Sequence, residues 1–279
     1  MSHKTVKKIN TAVVFFILTI ISLVVLYPLV YVVSAAVSPG MSIASINIVP
    51  FADGVTFEHF RYLFQDTLYG IWFRNTFIIA ISTSLLTVFT ASLGAYVFSR
   101  FRFPLKKSMM LAMLVLQIFP SFVGMVAIYV ILLRIGGHDT LWGLVLVYLA
   151  GNVPYNTWMV KSYMDTIPRS LDEAARIDGA SHFRIFREIV LPIATPIITF
   201  LGITSFTAPW MDFIFPKMVL RSADKQTLAL GLFSFVTDKK NEFTVFAAGA
   251  VVIAVPFIIF FVITQKMMVT SLGGSAVKE

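Results

Sequence analysis

The densest run of chemically active side chains lies between Met164 and Pro196, reading MDTIPRSLDEAARIDGASHFRIFREIVLPIATP. Acids and bases alternate there with alanine and glycine, a composition suited to a docking surface. Bond-making constellations are absent from the chain. His3, His59, His138 and His182 fall in separate segments, and neither an H-E-x-x-H nor a G-x-S-x-G pattern occurs. Gly136-Gly137 has no lysine at the spacing of a phosphate-cradling loop. With no cysteine, disulfides, thiol catalysis and cysteine–metal sites are excluded. The chain reads as a protein with no catalytic residues, no metal and no cofactor of its own.

Local signals organise this stretch. Pro168 disfavours helix at Ile167. Ser170 precedes Glu173 by three, the spacing of a capping box, so a short helix is expected over about 171–178. Gly179 is placed to end it in the left-handed conformation. Ser181 can cap a second short helix, on which Phe183, Phe186 and Val190 recur at three and four residues, with Ile189 beside them. Pro192 fits the first turn of the next element. This helix–Gly–helix unit admits two readings: it docks into a partner, or it lies on a membrane interface.

The elements that must position it are apolar. Hydrophobic types make up 58% of 279 residues and charged types 13%, with mean hydropathy +0.86. A soluble domain carries about 25% charged residues, so a cytosolic enzyme and a disordered tail are both excluded. Continuous apolar runs predict six membrane-spanning helices, at about 11–37, 74–98, 108–133, 141–163, 192–218 and 244–268. No two-residue alternation of a membrane barrel is present. The first run is far longer than a signal-peptide core of about 7–15 residues and is read as a retained span. All-α, one transmembrane domain over 1–279, is the expected organisation. A loop of about 164–191 lies on one side and loops of about 38–73 and 219–243 on the other. Most of the 22 Lys and Arg, including the dense Arg100, Arg102, Lys106, Lys107 group, share the side of the N-terminus. That side, with both termini, is expected to be cytoplasmic. The net charge of +8 belongs to this bias and not to nucleic-acid binding.

Polar residues at depth are few. From 1.5 Å per residue, Thr204 and Ser205 lie roughly 18–20 Å into the fifth span, Asn152 roughly 16 Å into the fourth and Gln117 roughly 14 Å into the third. Amides there face protein or a cavity, so Gln117 and Asn152 either line a pathway or bind a neighbouring helix. The hydroxyls of Thr204 and Ser205 can instead bond their own backbone. Tyr155 could stack on a sugar face, and Trp158 reads as an interfacial anchor. Pro28, Pro120, Pro154, Pro209 and Pro256 place a proline in five of the six expected spans. No acid or histidine sits at the midplane, which argues against the alternative of an ion-coupled secondary transporter.

Glu173-Ala174-Ala175, then Asp178-Gly179-Ala180, then Ile189-Val190-Leu191-Pro192 and Pro196 resemble the EAA motif of permease subunits in bacterial binding-protein-dependent ABC importers. The later Leu228-Ala229-Leu230-Gly231, Phe246-Ala247-Ala248-Gly249-Ala250 and the tail from Leu272 to Lys278 resemble the shorter permease of carbohydrate importers, of the maltose/maltodextrin type. That resemblance implies the type I permease fold and a place in the bacterial cytoplasmic membrane. It also implies a heteromeric complex with a second permease, two ATPase subunits that bind ATP and Mg, and an extracytoplasmic sugar-binding protein. Glu173, Ala174, Ala175, Asp178, Gly179 and Ala180 would form the coupling helix seated in the ATPase. Leu228, Gly231 and Phe233 would lie in the loop that touches the binding protein. Raffinose-type sugars and glycerol phosphate are the other cargoes the resemblance admits.

Overall fold

The computed structural model describes residues 3–118, 123–237 and 241–273; among them, every regular element is helical. Pro120, Asp238, Lys239, Lys240 and the tail 274–279 lie outside the described residues. The helices are α1 (His3–Val37), α2 (Glu58–Gln65), α3 (Tyr69–Arg100), α4 (Lys106–Ile118), α5 (Met125–Arg134), α6 (Leu141–Met164) and α7 (Arg169–Ile177). They continue with α8 (His182–Ile185), α9 (Leu191–Ile193), α10 (Thr195–Met211), α11 (Ile214–Val219), α12 (Leu228–Thr237) and α13 (Phe243–Gly273).

Three segments are long and apolar enough to cross a bilayer: Thr11–Val37, Tyr69–Arg100 and Phe243–Val262. These match the first, second and sixth expected spans. At 24 residues α6 is also long enough, about 36 Å. Asn152, Tyr155 and Asn156 around its middle make it less apolar. The other two expected spans are not single helices. The third is divided into α4 and α5, with Gly124 preceding the first turn of α5. The fifth is divided into α10 and α11, and the segment before it, His182–Ile193, meets Thr195–Met211 at 79°. Pro192 and Pro196 each lack an N–H and cannot donate to the carbonyl four residues back, which lets the chain turn at Ala194. At its far end Asp212 stops α10, its Oδ1 accepting from the N–H of Ile214 at 2.8 Å.

The chain forms two compact units, 1–69 with 232–257, and 70–231 with 258–279. In the first, Ala35 and Ala36 of α1 meet Ala247 and Ala248 of α13, all buried. Small side chains let two backbones approach, the usual basis of helix association where lipid removes the hydrophobic drive. The connection after α1 is tied down by His59, whose Nε2 lies 2.9 Å from the carbonyl of Ser38. Thr244 Oγ1 donates to the carbonyl of Gly40 at 3.0 Å. Residues 11–30 of α1 are exposed all round. An apolar helix with no polar face belongs in lipid or against another chain.

In the second unit one core joins Ala91, Ala95 and Tyr96 of α3, Val160 and Met164 of α6, and Leu201 of α10 to Ile185, Phe186 and Val190. A second gathers Ile79, Leu132, Leu144, Val145, Val219 and Leu220. Beside it, Asp139 clamps the strand-like link after α11. Its carboxylate accepts from the N–H groups of Arg221 and Ser222, the Ser222 hydroxyl and the Lys225 ammonium. Burial alone would raise its pKa, but these four donors hold the carboxyl well below the usual carboxylate range.

Candidate functional site

The helix–Gly–helix unit is built much as its residues dictate. Arg169–Ile177 forms α7, and Gly179 has φ +80°. The Ala180 N–H donates to the carbonyl of Ala175 at 2.9 Å, and the Gly179 N–H to that of Arg176 at 3.0 Å. These two bonds are the Schellman closure, and they need a left-handed residue at Gly179. Ser181 caps the next helix, its Oγ accepting from the Arg184 N–H at 3.3 Å.

Two local expectations are corrected. The capping box does not form: α7 begins two residues earlier, at Arg169, with Pro168 in the cap position and no side-chain cap bond. Pro168 is pre-set at φ −56°, so the helix starts on it and Ser170 lies inside the first turn. The apolar stripe is also rotated. Ile185, Phe186 and Val190 are buried, whereas Phe183 is 66% exposed. A π turn over Phe186–Val190 adds one residue to the period, and the Leu191 N–H reaches back to the carbonyl of Phe186.

Long-range polar contacts fasten the base of α7 to the end of α3. Arg100 Nε lies 2.7 Å from Asp172 Oδ2, with side-chain exposures of 6% and 14%. Arg100 Nη2 donates to the carbonyl of Ile167 at 3.2 Å. Reciprocally, Arg169 Nη2 donates to the carbonyl of Ser99 at 2.9 Å. The Ser99 hydroxyl donates to Asp165 at 2.7 Å, and Lys161 pairs with the same carboxylate. Burial would raise the Asp165 pKa, but the Lys161 and Ser99 donors hold it lower than usual. Tyr96 Oη donates to the carbonyl of His182 at 3.1 Å, and the Phe101 and His182 rings lie 4.7 Å apart.

The opposite face is open. Glu173, Ala174, Asp178 and Gly179 are exposed, while Ala175 and Ala180 lean on the core. Between these residues stand Ile177, 87% exposed, and Leu171, 42% exposed. Sequence reasoning missed Ile177. Its signal was an isoleucine on the acidic face of a nine-residue helix, where no core could receive it. This exposed apolar knob, flanked by acid, stands on a base packed against α3, α6 and α10.

The candidate pathway residues are dispersed. Gln117 is exposed and its Nε2 donates to Met113 of its own helix at 3.3 Å. Tyr155 is 56% exposed. Asn152 is half-buried, and its carbonyl accepts from the side chain of buried Asn156 at 2.8 Å. Thr204 bonds back to Phe200 and Leu201, while Ser205 is buried. Trp158 donates to the carbonyl of Met110 at 2.9 Å, pinning α6 to α4.

The segment expected as an outer loop is in fact helical over Leu228–Thr237. Leu228 is buried, its N–H bonded to Thr76 Oγ1 at 2.8 Å. Gly231 lies under the Trp72 ring, close enough that a Cβ would overlap it. Phe233 is 40% exposed, so of these three it is the one that presents surface. Trp72 also donates to the carbonyl of Ala223 at 2.7 Å, and Asn75 to those of Asp224 and Gln226.

Among the described residues every regular element is helical, three helices are long and apolar enough to cross a membrane, and the helix–Gly–helix unit faces outward. Residues 88–270 match the family of the binding-protein-dependent transport system inner membrane component, and the chain belongs to that family. It is 38% identical to the maltodextrin transport system permease protein MdxG of Bacillus subtilis (strain 168), over 100% of both chains. It is 36% identical to the galactooligosaccharides transport system permease protein GanQ of the same organism, over 95% of this chain and 94% of that one. Among solved structures, a bacterial ABC transporter involved in import of the acidic polysaccharide alginate has a chain that aligns with a TM-score of 0.81. That alignment covers 95% of this chain and 98% of the other at 22% identity. The protein is therefore an inner membrane permease component of a binding-protein-dependent transport system, with the ABC importer permease fold.

Proposed function

We propose that this chain carries a malto-oligosaccharide across the bacterial cytoplasmic membrane, by alternating access driven from a separate ATPase pair. The observation that carries the reading is the exposed α7–Gly179–α8 unit, anchored through Arg100–Asp172 and Ile185–Val190 to the ends of α3, α6 and α10. In this reading Glu173, Ala174, Ala175, Asp178, Gly179 and Ala180 meet the ATPase, with Ile177 as the central knob. ATP and Mg are held by the ATPase subunits. A second permease completes the pathway, and an extracytoplasmic binding protein delivers the sugar. The chain crosses six times as one domain with both termini inside, the broken fifth span counting as one crossing. Phe233 presents to the binding protein, and Gln117, Asn152, Tyr155, Thr204 and Ser205 are the pathway candidates. Full-length identity to maltodextrin permeases supports the cargo class.

The test is a pull-down of a tagged copy from gently solubilised membranes, followed by reconstitution. Recovery of a second permease and an ATPase, with ATP turnover raised by binding protein plus maltodextrin, is the expected result. Uptake in vesicles that lack ATP, from this chain alone, overturns the reading in favour of a secondary carrier. Stimulation by a galacto-oligosaccharide but not by maltodextrin overturns the cargo assignment alone.

A further inference from the structure

The link between α3 and α4 and the first turn of α4 face the last turns of α6 across a cavity of about 580 Å³. That volume falls within the roughly 300–1,000 Å³ of small-molecule sites. Arg102, Lys106 and Lys107 supply positive charge from the α3–α4 side and Lys161 from the α6 side, and Trp158 and Met110 also line it. The neighbouring acid is Asp165, and it is already engaged by Lys161 and the Ser99 hydroxyl. Lys106 gives one N–H to the carbonyl of Phe101 at 3.0 Å and has two more to offer. Burial and then the charge of Lys161 push its ammonium below the usual lysine pKa; Asp165 opposes them, and Arg169 and Arg102 add smaller lowering effects. Lys161 is paired with Asp165, and among the described residues the cavity's Arg102, Lys106 and Lys107 are in ion pairs with no acid.

Its surroundings distinguish a lipid from a soluble anion. Leu105, at the rim with φ +66°, is 72% exposed, and Met109 and Leu111 are 46% and 60% exposed. Leu116 and Ile118 extend this apolar exposure along α4. A soluble phosphate needs no such flank, whereas an acyl chain does. A tryptophan in the lining is the side chain enriched at headgroup depth. We propose that this cavity holds the phosphodiester headgroup of an anionic phospholipid, with its acyl chains lying along the exposed face of α4. Basic pockets at the membrane boundary between helices recognise lipid in this way. The inference rests on the chain being embedded in a membrane, and not on its cargo or on the coupling role of α7.

The test uses the full importer complex purified in non-ionic detergent. Native mass spectrometry follows titrations with phosphatidylglycerol, phosphatidylcholine and inorganic phosphate. Phosphatidylglycerol is expected to be retained over phosphatidylcholine. The Lys106→Gln/Lys107→Gln pair is expected to weaken it about 25-fold, from about fivefold per charge removed at a membrane surface. Lys217→Gln, at the far end of the unit, is expected to leave it unchanged. Should the double variant fail to assemble, the exposed Arg102→Gln is read in the same titration for a loss of about fivefold. Wild-type phosphatidylglycerol affinity in these variants overturns the proposal. So does displacement of the lipid by equimolar inorganic phosphate, which would make the ligand a soluble anion.

Discussion

Gly179 offers the sharpest probe of the helix–Gly–helix unit, because its two possible roles respond differently to substitution. Its φ of +80° is costly for any residue with a Cβ. A Cβ built there meets nothing within 4 Å. Within this chain Gly179→Ala therefore carries backbone strain alone, about 1 kcal/mol, and no clash. That strain falls on the Schellman closure that sets the exit from α7. If the closed turn is the docking form, affinity for the ATPase should drop about fivefold, which is about 1 kcal/mol converted. Gly179→Asn tolerates the left-handed region and isolates the effect of bulk. Gly179→Val combines bulk with a conformation that β-branched residues almost never adopt. In vesicles containing the whole importer, with binding protein and sugar outside and ATP inside, uptake should fall moderately for Ala and to background for Val. ATP hydrolysis should persist in both, since the ATPase is untouched. Asn should lie above Ala if strain dominates, and below it if the partner approaches within van der Waals contact of the glycine. Normal uptake by Gly179→Val, in a complex of normal yield, would falsify the coupling assignment.

Three further outcomes follow from packing. Arg100→Met leaves Asp172 charged and nearly buried, a loss of about 3–5 kcal/mol for such pairs, visible as low complex yield. Adding Asp172→Leu should recover part of that yield, and no recovery would mean that the bond to Ile167, not the ion pair, holds α7. Gly231→Ala drives a methyl into the Trp72 ring and should destabilise by about 1–3 kcal/mol, read as a lowered melting temperature in detergent. Asp139→Asn should lose about 2 kcal/mol at neutral pH through its weakened bonds to 221–225. Because the folded carboxyl titrates below its unfolded value of about 3.9, its stabilisation is complete above that pH and fades as pH falls through the folded value. The melting-temperature gap between wild type and Asp139→Asn should therefore narrow below about pH 4; a constant gap refutes the charge-assisted clamp.

Legibility in the sequence tracked how local each signal was. The long apolar helices α1, α3 and α13 were readable because lipid demands continuous apolar runs, and composition alone reveals them. The Gly179 turn was readable because a positive φ has a short list of tolerant residues. Ser181 as a cap was equally local. The start of α7 was misplaced by two residues because Pro168 and Ser170 compete for one cap position, and proline's fixed φ prevailed. The stripe on α8 was misjudged because a π turn changes the helical period without marking the sequence.

What the sequence by itself determined was the class: a helical membrane chain with a small helix–Gly–helix unit. Its apolar composition leaves no other folded solvent, and the unit's identity resides in contiguous residues. Only the tertiary structure decided what that unit is joined to. Arg100 finds Asp172 across three intervening helices, Phe186 and Val190 enter a core with α3 and α6, and Gly231 disappears beneath Trp72. The 79° bend between the segment 182–193 and α10 also emerged there, since two prolines permit a bend but packing sets its angle. Such pairings depend on which distant segments share a volume, and periodicity along the chain carries no information about that.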